Sequence, residues 1–379
     1  MEIVEVNYIY KTNKTLRIRG DYLDKKVDII EELEKKKPLI NEIIEKYVPR
    51  KYDKQSLIFA LGEPRYDYDV EAPTKAIAEP TWEFLDRGGK RWRPALFLLV
   101  VEALGGDPEK VYDFVLIPEL VHNGTLFVDD IEDNSEMRRG RPCSHLIFGT
   151  DVAINCGNTL YFLPLIALMK NGKHFDDKTI KRAYEIYAQE MINISFGQAM
   201  DIAWHNGMAN ANDLTPEQYL QMCAYKTGTL ARMSAKLAAL LSGATDEQIE
   251  TMGKFAESIG VAFQIKDDVM NIEGGLGKEI GDDINEGKRT LMVVHTLKVA
   301  SEEDRKKLIE ILGKHTKDDR LIKEAIEILK KYDSIDYAKN FAKNMIKETW
   351  EEVNKTLPES DAKKKLEAFV HYLAAGRKN

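Results

Sequence analysis

His122-Asn-Gly-Thr-Leu-Phe-Val-Asp129-Asp130-Ile-Glu132-Asp133-Asn-Ser-Glu-Met-Arg138-Arg139-Gly-Arg-Pro142 is the stretch whose reading decides the fold. It closes an apolar run at helical spacing (Phe114, Val115, Ile117, Leu120, Val121, Leu126, Phe127) with four acids in five residues. On a helix Asp129 and Asp133 share a face one turn apart, about 6 Å along the axis. Asp130 is rotated to the side. No lysine lies within the cluster to pair these carboxylates. A solvated acidic helix end is the ordinary origin of such clusters, but acids favour helix N-termini and these stand where a helix closes. A divalent cation relieves the repulsion. Mg²⁺ suits the set, because it takes oxygen ligands and shares carboxylates with substrate phosphates.

A second helix ends the same way, in Phe263-Gln264-Ile-Lys266-Asp267-Asp268-Val-Met-Asn271 after Ile259, Val261 and Ala262. Gln264 and Asp268 are i, i+4, as are Asp267 and Asn271, so all four fall on one broad surface. Two such helix ends read as two walls of one cavity. With oxygen ligands and no histidine or cysteine at metal spacing, the cavity is expected to hold Mg²⁺ and a polyphosphate. Cations to match stand elsewhere: Gly88-Gly89-Lys90-Arg91-Trp92-Arg93-Pro94 opening an apolar helix, Arg138-Arg139, Lys226-Thr227-Gly228, and Lys278 and Lys288 in GGLGKEIGDDINEGKRT. Each cluster alone reads as a solvated face. As a set they supply forks and point charges for phosphate oxygens.

Composition bounds the class. The chain has 379 residues, 44% hydrophobic, and a net charge of −8, which argues against nucleic acid and gives no reason for an anionic membrane partner. Cys143, Cys156 and Cys223 are widely spaced, so neither a disulfide framework nor a zinc site is indicated, and a reducing, cytoplasmic setting is expected. The N-terminus lacks the apolar core of a signal peptide. The strongest apolar run, residues 94–102, is too short to span a bilayer, so no transmembrane segment is expected.

From about Thr74 the apolar spacing predicts helix through 91–104, 111–130, 151–169, 178–205, 215–242, 246–272, 289–299, 303–313, 318–332 and 336–377. Thr215-Pro216-Glu217 reads as an N-cap with proline at the first helical position. The fold class is all-α, a single large helical bundle whose long central helices are apolar because neighbours surround them. Residues 1–25 read as a short hairpin or extended arm, and 26–47 as a helix that Pro38 breaks or kinks. Residues 48–75 read as an irregular connector with Pro49, Pro64 and Pro73. The expected division is an N-terminal extension of unknown role, 1–75, and a main domain, 76–379.

GGKRWRP, HNGTLFVDDIEDNSEMRRGRP, GQAMDIAW, YKTGTL, FQIKDDVMN and GK…DDINEGK stand in the order found in trans-isoprenyl diphosphate synthases, and the sequence resembles that family across residues 85–300. The acidic stretch is most similar to geranylgeranyl diphosphate synthases of eukaryotic type. The resemblance implies an isoprenoid-synthase bundle with a central cavity, and a Mg²⁺-dependent prenyltransferase joining an allylic diphosphate (dimethylallyl, geranyl or farnesyl) to isopentenyl diphosphate. It implies two or three Mg²⁺ ions, and a homodimer or higher homo-oligomer. Asp129, Asp133 and Asp267 would hold metal, within a catalytic set of Asp129, Asp130, Asp133, Lys226, Gln264, Asp267 and Asp268. Arg138, Lys226, Thr227, Gln264, Lys278 and Lys288 would contact the allylic substrate. Lys90, Arg93, His122 and Arg139 would bind isopentenyl diphosphate. Gln198 and Asp201 of GQAMD face the same cavity in the family, and Gln198 would help hold the allylic end. Asn271 departs from the aspartate of many relatives and reads as a subtype difference.

Product length follows from the same resemblance. Bulky aromatics four and five residues before the first aspartate stop the chain early, and here those positions are the small Thr125 and Gly124. The next floor is the aromatic pair Tyr161 and Phe162 in NTLYFLPL. A C20 product, geranylgeranyl diphosphate, is expected, with farnesyl or longer products (C25 and above) as alternatives. A class I terpene cyclase is more remote, since it has no second diphosphate to bind and no need of GGKRWR, His122 and Arg139. A non-catalytic regulatory subunit is remote too, since such subunits lose an acidic motif. The basic end, Gly376-Arg377-Lys378-Asn379, reads as a frayed terminus; closure over the isopentenyl diphosphate pocket is the alternative that the resemblance raises.

Overall fold

Three- and four-residue apolar spacing turns nearly the whole described chain into helix. The computed structural model describes residues 29–274 and 280–375, with side chains as far as Tyr372. The expected arm at 1–25, Lys278 and the tail 376–379 lie outside the described residues. The principal helices are α1 (Ile29–Tyr47), α2 (Trp92–Ala103), α3 (Leu116–Glu132), α4 (Thr150–Phe162), α5 (Asp177–His205), α6 (Pro216–Cys223), α7 (Thr229–Leu241) and α8 (Asp246–Glu273). After them come α9 (Leu291–Val299), α10 (Glu302–Gly313), α11 (Asp319–Lys331), α12 (Ser334–Thr356) and α13 (Asp361–Ala375). Strand is confined, among the described residues, to a two-rung hairpin, β1 (Met137–Arg138) and β2 (Arg141–Pro142).

α2 and α7 occupy the middle, and nearly every residue of each is buried, as expected of helices apolar on all sides. α7 packs on α2, α5 and α8; α8 packs in turn on α12, and α13 lies across α2. Two cores result. One joins α1, α2, α3, α7 and the first half of α8; the other joins α6, the second half of α8 and α9–α11. α8 links them, and its acidic end emerges between them. Thr245 caps α8 and Thr215 caps α6, each in a reciprocal capping box that stabilises the helix start by about 1 kcal/mol.

The structure departs from the sequence-based expectation in identifiable ways. Residues 215–242 are not one helix: a π-turn, Ala224–Gly228, separates α6 from α7. Residues 336–377 are two helices, α12 and α13, divided at Leu357-Pro358, where proline lacks the amide that would continue α12. Pro38 does not break α1, which runs through it. The connector 48–75 contains a helix, Lys54–Leu61, capped by Asp53. α1 also contributes Ile40, Ile44 and Tyr47 to the main core, so that core runs across residue 75.

α3 and α4 cross at two glycines. A Cβ on Gly124 would lie 2.8 Å from the Gly157 carbonyl oxygen, and one on Gly157 would lie 2.9 Å from Val128. Gly124 therefore serves the contact between helices. α4 and the segment after it, residues 150–174, form a helical stretch long and apolar enough to cross a membrane, with 44% of its apolar window buried inside the protein. Sequence reading overlooked this stretch and took residues 94–102 as the strongest apolar run. Its inner face packs on α3, which is the behaviour of a core helix. Gly124→Val is expected to destabilise the protein by about 1–3 kcal/mol through overpacking at this crossing, read as a lowered Tm.

Candidate active site

The end of α3 places Asp129 and Asp133 one turn apart at the mouth of the bundle. At about 6 Å and the effective dielectric of partly buried sites, two carboxylates repel by roughly 3 kcal/mol. The effect falls unevenly. Burial and the neighbouring Asp129 push the Asp133 carboxyl up to about 6. Burial also raises Asp129, but Lys226, Arg138 and Lys288 outweigh it and hold that carboxyl below its ordinary value. Asp130 turns away from the mouth. It is 1% exposed, and Arg138 donates to its Oδ1 from Nε at 2.7 Å, with Nη2 in an ion pair 2.5 Å from the same oxygen and donating to Asp129 at 3.3 Å. The geometry pairs Asp130 with Arg138 and leaves the open face to Asp129 and Asp133.

Opposite α3, α5 and the π-turn after α6 meet at Gly197. A Cβ there would lie 2.3 Å from the Lys226 backbone nitrogen, so only glycine lets the turn approach α5 this closely. The approach brings Lys226 into ion pairs with Asp201 and, at 3.5 Å, with Asp129. Burial works against the Lys226 charge, yet Asp201 and Asp129 keep its ammonium above its ordinary range. Gln198 donates to Asp129 at 3.2 Å and to Glu132 at 2.7 Å, as its place in GQAMD leads one to expect.

The end of α8 closes the same space. The Thr227 hydroxyl donates to Gln264 at 2.8 Å, the Gln264 amide donates to Asp268 at 2.8 Å, and the Tyr219 hydroxyl donates to Asp268 at 2.7 Å. Burial pushes the Asp268 carboxyl up to about 6, although both hydrogen bonds act to lower it. Asp268 is therefore enclosed, whereas Asp267 is half-buried and close enough to Arg93 to stabilise its charge. Asn271 accepts the Asp283 amide at 3.1 Å and ties α8 to the segment carrying Lys288. Lys288 pairs with Glu286 and, at 3.7 Å, with Asp283; against its burial, these and the charges of Asp201 and Asp133 raise its ammonium well above the ordinary value.

A cluster of basic side chains lies beside the acidic mouth. Arg93 is buried over the Trp92 ring, 4.3 Å from its centroid, and its Nε has no hydrogen-bond partner. Burial pulls both Arg93 and Arg139 down to about 10. It likewise holds the His122 imidazole neutral, with Arg93 and Arg139 adding to the effect. Arg139 donates to the Gly88 carbonyl at 2.8 Å, and Arg87 donates to the Arg138 carbonyl at 3.1 Å, so the β1–β2 hairpin is tied to the glycine loop. Lys90 donates to the Tyr372 hydroxyl at 2.6 Å, which sets the end of α13 beside this cluster. Arg91 is buried and paired with Glu119 at 3.0 Å, their side chains 3% and 4% exposed.

The two acidic walls fit a divalent cation shared with a substrate. Among the described residues no three of His, Cys, Asp and Glu converge tightly enough to cage a metal. Each wall offers one or two oxygen ligands and leaves the remaining positions to diphosphate and water, the usual coordination of Mg²⁺. The orphaned Arg93 Nε and the upward push on Asp133 are the two faces of one unfilled demand for counter-charge.

Of the residues singled out in sequence, the structure brings together Asp129, Asp133, Gln198, Lys226, Thr227, Gln264 and Lys288 on one side, and Arg93, His122 and Arg139 on the other. It does not bring Phe162 to the cavity: that ring is 68% exposed, on the outer face of α4. Thr125 is half-buried one turn below Asp129, and its hydroxyl donates to the His122 carbonyl at 2.8 Å. The Tyr161 ring lies against Gly124, and its phenol is pushed up by burial and by the charges of Glu132 and Asp129. Sequence reading missed Gly197, Tyr219, Arg91, Glu119 and Asn123. Only Gly197, inside GQAMD, carried a visible signal.

A helical bundle whose paired acidic helix ends face lysines and arginines defines a class of enzymes that act on diphosphates. Comparison with known proteins specifies the class further. The family model described as polyprenyl synthetase matches residues 74–329. A short chain isoprenyl diphosphate synthase of Methanothermobacter thermautotrophicus is 37% identical over 289 residues, covering 76% of this chain and 86% of the relative. A geranylgeranyl diphosphate synthase of Saccharolobus solfataricus is 36% identical over 72% of this chain and 82% of its own. The crystal structure of a geranylgeranyl pyrophosphate synthetase from Pyrococcus horikoshii superposes with a TM-score of 0.81 at 32% identity, covering 93% of this chain and 100% of that one. The chain belongs to the polyprenyl synthetase family and is a prenyltransferase of the all-α isoprenoid-synthase fold. Divalent metal is the cofactor of that family, and allylic diphosphates and isopentenyl diphosphate are its substrates.

Asp129→Ala is expected to cut turnover by roughly 10²–10³-fold with unchanged helicity. Steady-state rates at saturating Mg²⁺, alongside circular dichroism, check this; near-native turnover would remove Asp129 from the reacting site.

Proposed function

We propose that the enzyme makes geranylgeranyl diphosphate, joining an allylic diphosphate held at the acidic mouth to isopentenyl diphosphate held in the basic pocket. The observation that carries the two-pocket reading is the buried Arg93 guanidinium whose Nε has no protein partner. When bound, Mg²⁺ would supply positive charge to the departing diphosphate, held by Asp129, Asp133 and Asp267. Lys226 and Arg138 lie against Asp129 and add their charge to the same diphosphate as its C–O bond lengthens. Thr227, Gln264 and Lys288 border the same space, and Gln198 orients Asp129. Lys90, Arg93, His122 and Arg139 hold the second diphosphate so that the homoallylic double bond meets the allylic carbon before water does. A neutral His122 adds a hydrogen-bond donor without another positive charge beside four arginines. Lys278 and the basic tail fall outside the described residues; α13 ends beside Lys90, where closure by the tail would act.

The C20 product rests on Thr125 and Tyr161. Thr125 leaves room one turn below Asp129, and Tyr161 borders that room from α4. Phe162 has no part in the floor and belongs to a different surface. With Leu146, Ile154, Met169, Ile192 and Phe196 it leaves apolar side chains exposed on α4, α5 and the segments flanking α4. We assign these to the contact with a second copy in a cytoplasmic homodimer, since charge is sparse among them and exposed apolar surface of this kind marks interfaces.

Thr125→Phe is expected to shift the product toward C15 and Tyr161→Ala toward longer chains, whereas Phe162→Ala leaves chain length unchanged. Chromatography of the hydrolysed products checks all three, and a mainly C15 product from the native enzyme would overturn the length assignment. Phe162→Asp is expected to yield a monomer by light scattering; an unchanged oligomer would move the interface elsewhere.

A further inference from the structure

Buried among Arg91, Arg93 and Arg139 is the carboxylate of Glu119, on α3. Its Oε1 accepts from Arg91 Nη1 at 3.0 Å and from Asn123 Nδ2 at 2.9 Å. Arg91 is the residue before α2 and lies in the left-handed backbone region, at φ 48°. A non-glycine residue keeps that conformation only where its surroundings impose it. Here they do. Besides Glu119, Arg91 is held by the Leu85 carbonyl at 3.1 Å and by Asn41 Oδ1, on α1, at 3.2 Å. Arg91 stands between Lys90 and Arg93, so its backbone turn decides where both of those side chains point. On the other side, the Asn123 Oδ1 faces Arg139 Nη2 at 3.5 Å, which links Glu119 to the hairpin arginine as well.

We propose that Glu119 is a positioning residue of the isopentenyl diphosphate pocket: through Arg91 and Asn123 it fixes the relative placement of Lys90, Arg93 and Arg139. This rests on the two-pocket reading above. Glu119 touches neither substrate in that arrangement, and it acts by holding the cations apart in a preformed cradle.

The proposal separates cleanly from a simpler role. If Glu119 were only a counter-charge, removing its negative charge would strengthen diphosphate binding. If it positions the cradle, removal weakens binding despite the added net positive charge. In the full-length enzyme, Glu119→Gln is expected to raise the KM for isopentenyl diphosphate by about tenfold or more, in line with other supporting-residue losses. The KM for geranyl diphosphate as the allylic substrate should change by less than about threefold.

Because Glu119→Gln leaves Arg91 buried without its partner, the double variant Arg91→Gln/Glu119→Gln is measured beside it. It removes both charges and is expected to recover Tm while keeping the isopentenyl diphosphate defect. Recovery of KM together with Tm would overturn the proposal and leave Glu119 a stability residue. A lowered KM in either variant would overturn it in favour of the counter-charge role. Arg93→Ala serves as the control for the pocket itself. If Arg93→Ala leaves the isopentenyl diphosphate KM unchanged, the pocket reading fails and the proposal falls with it. If Arg93→Ala raises it and Glu119→Gln does not, only the proposal fails.

Discussion

Lys226 stands between two carboxylates on different helices, Asp201 on α5 and Asp129 on α3, and the rest of the site is arranged around that position. A buried lysine is costly unless it is paired. The pairing here requires three elements to meet at once. α5 must come close enough for Gly197 to touch the Lys226 backbone, the π-turn must present Lys226 toward α3, and α3 must end in acid. Remove the close approach and Lys226 loses Asp201; remove the acid and its charge is left uncompensated. The π-turn is therefore the device that aims this lysine, which agrees with the tendency of such turns to occur at functional sites.

From that pair outward, charge is sorted into two compartments. The mouth has an excess of carboxylates, and Asp133 and Asp268 are pushed up to about 6 because their neighbours and their burial leave too little positive charge. The basic pocket has the opposite imbalance: Arg93 and Arg139 are drawn down to about 10. Neither compartment is at electrostatic rest by itself. A cation with a diphosphate answers the first and a diphosphate alone answers the second. In the two-pocket reading proposed above, the two demands are satisfied together when both substrates are present.

Much of this was legible in the chain before any coordinates. Both acidic helix ends, the glycine loop with Lys90 and Arg93, and the Lys226 motif carry side-chain types that only make sense together, and helical spacing alone indicates which acids share a face. Three kinds of fact were not legible. Side-chain rotation decides that Asp130 turns inward to Arg138 while Asp129, its immediate neighbour, faces the mouth. Helix crossing decides that Gly124 serves the contact with α4, and that of two adjacent aromatics Tyr161 faces in and Phe162 faces out. Long-range pairing decides that Glu119 meets Arg91; a lone acid inside an apolar run gives no sign of its partner. Each concerns contacts between different elements, where periodicity within one element is silent.

The buried pair Arg91–Glu119 shows why such unread contacts matter. Replacing a buried pair with apolar residues is often neutral for stability, while breaking it from one side costs about 3–5 kcal/mol. Its retention here is therefore weak support for a stability role. What it does give is a fixed geometry: an arginine in a left-handed turn at φ 48°, pinned at its side chain from α1 and α3 and by the Leu85 carbonyl. A loop that binds a diphosphate by charge alone would tolerate motion, because lysine and arginine side chains are long. A loop that must set the double bond of one substrate against a carbon of another does not tolerate it, since a displacement of about 1 Å can cost 10²-fold in rate. Fixing the cradle from beneath, with residues that never meet the substrate, is the form of rigidity this chemistry calls for.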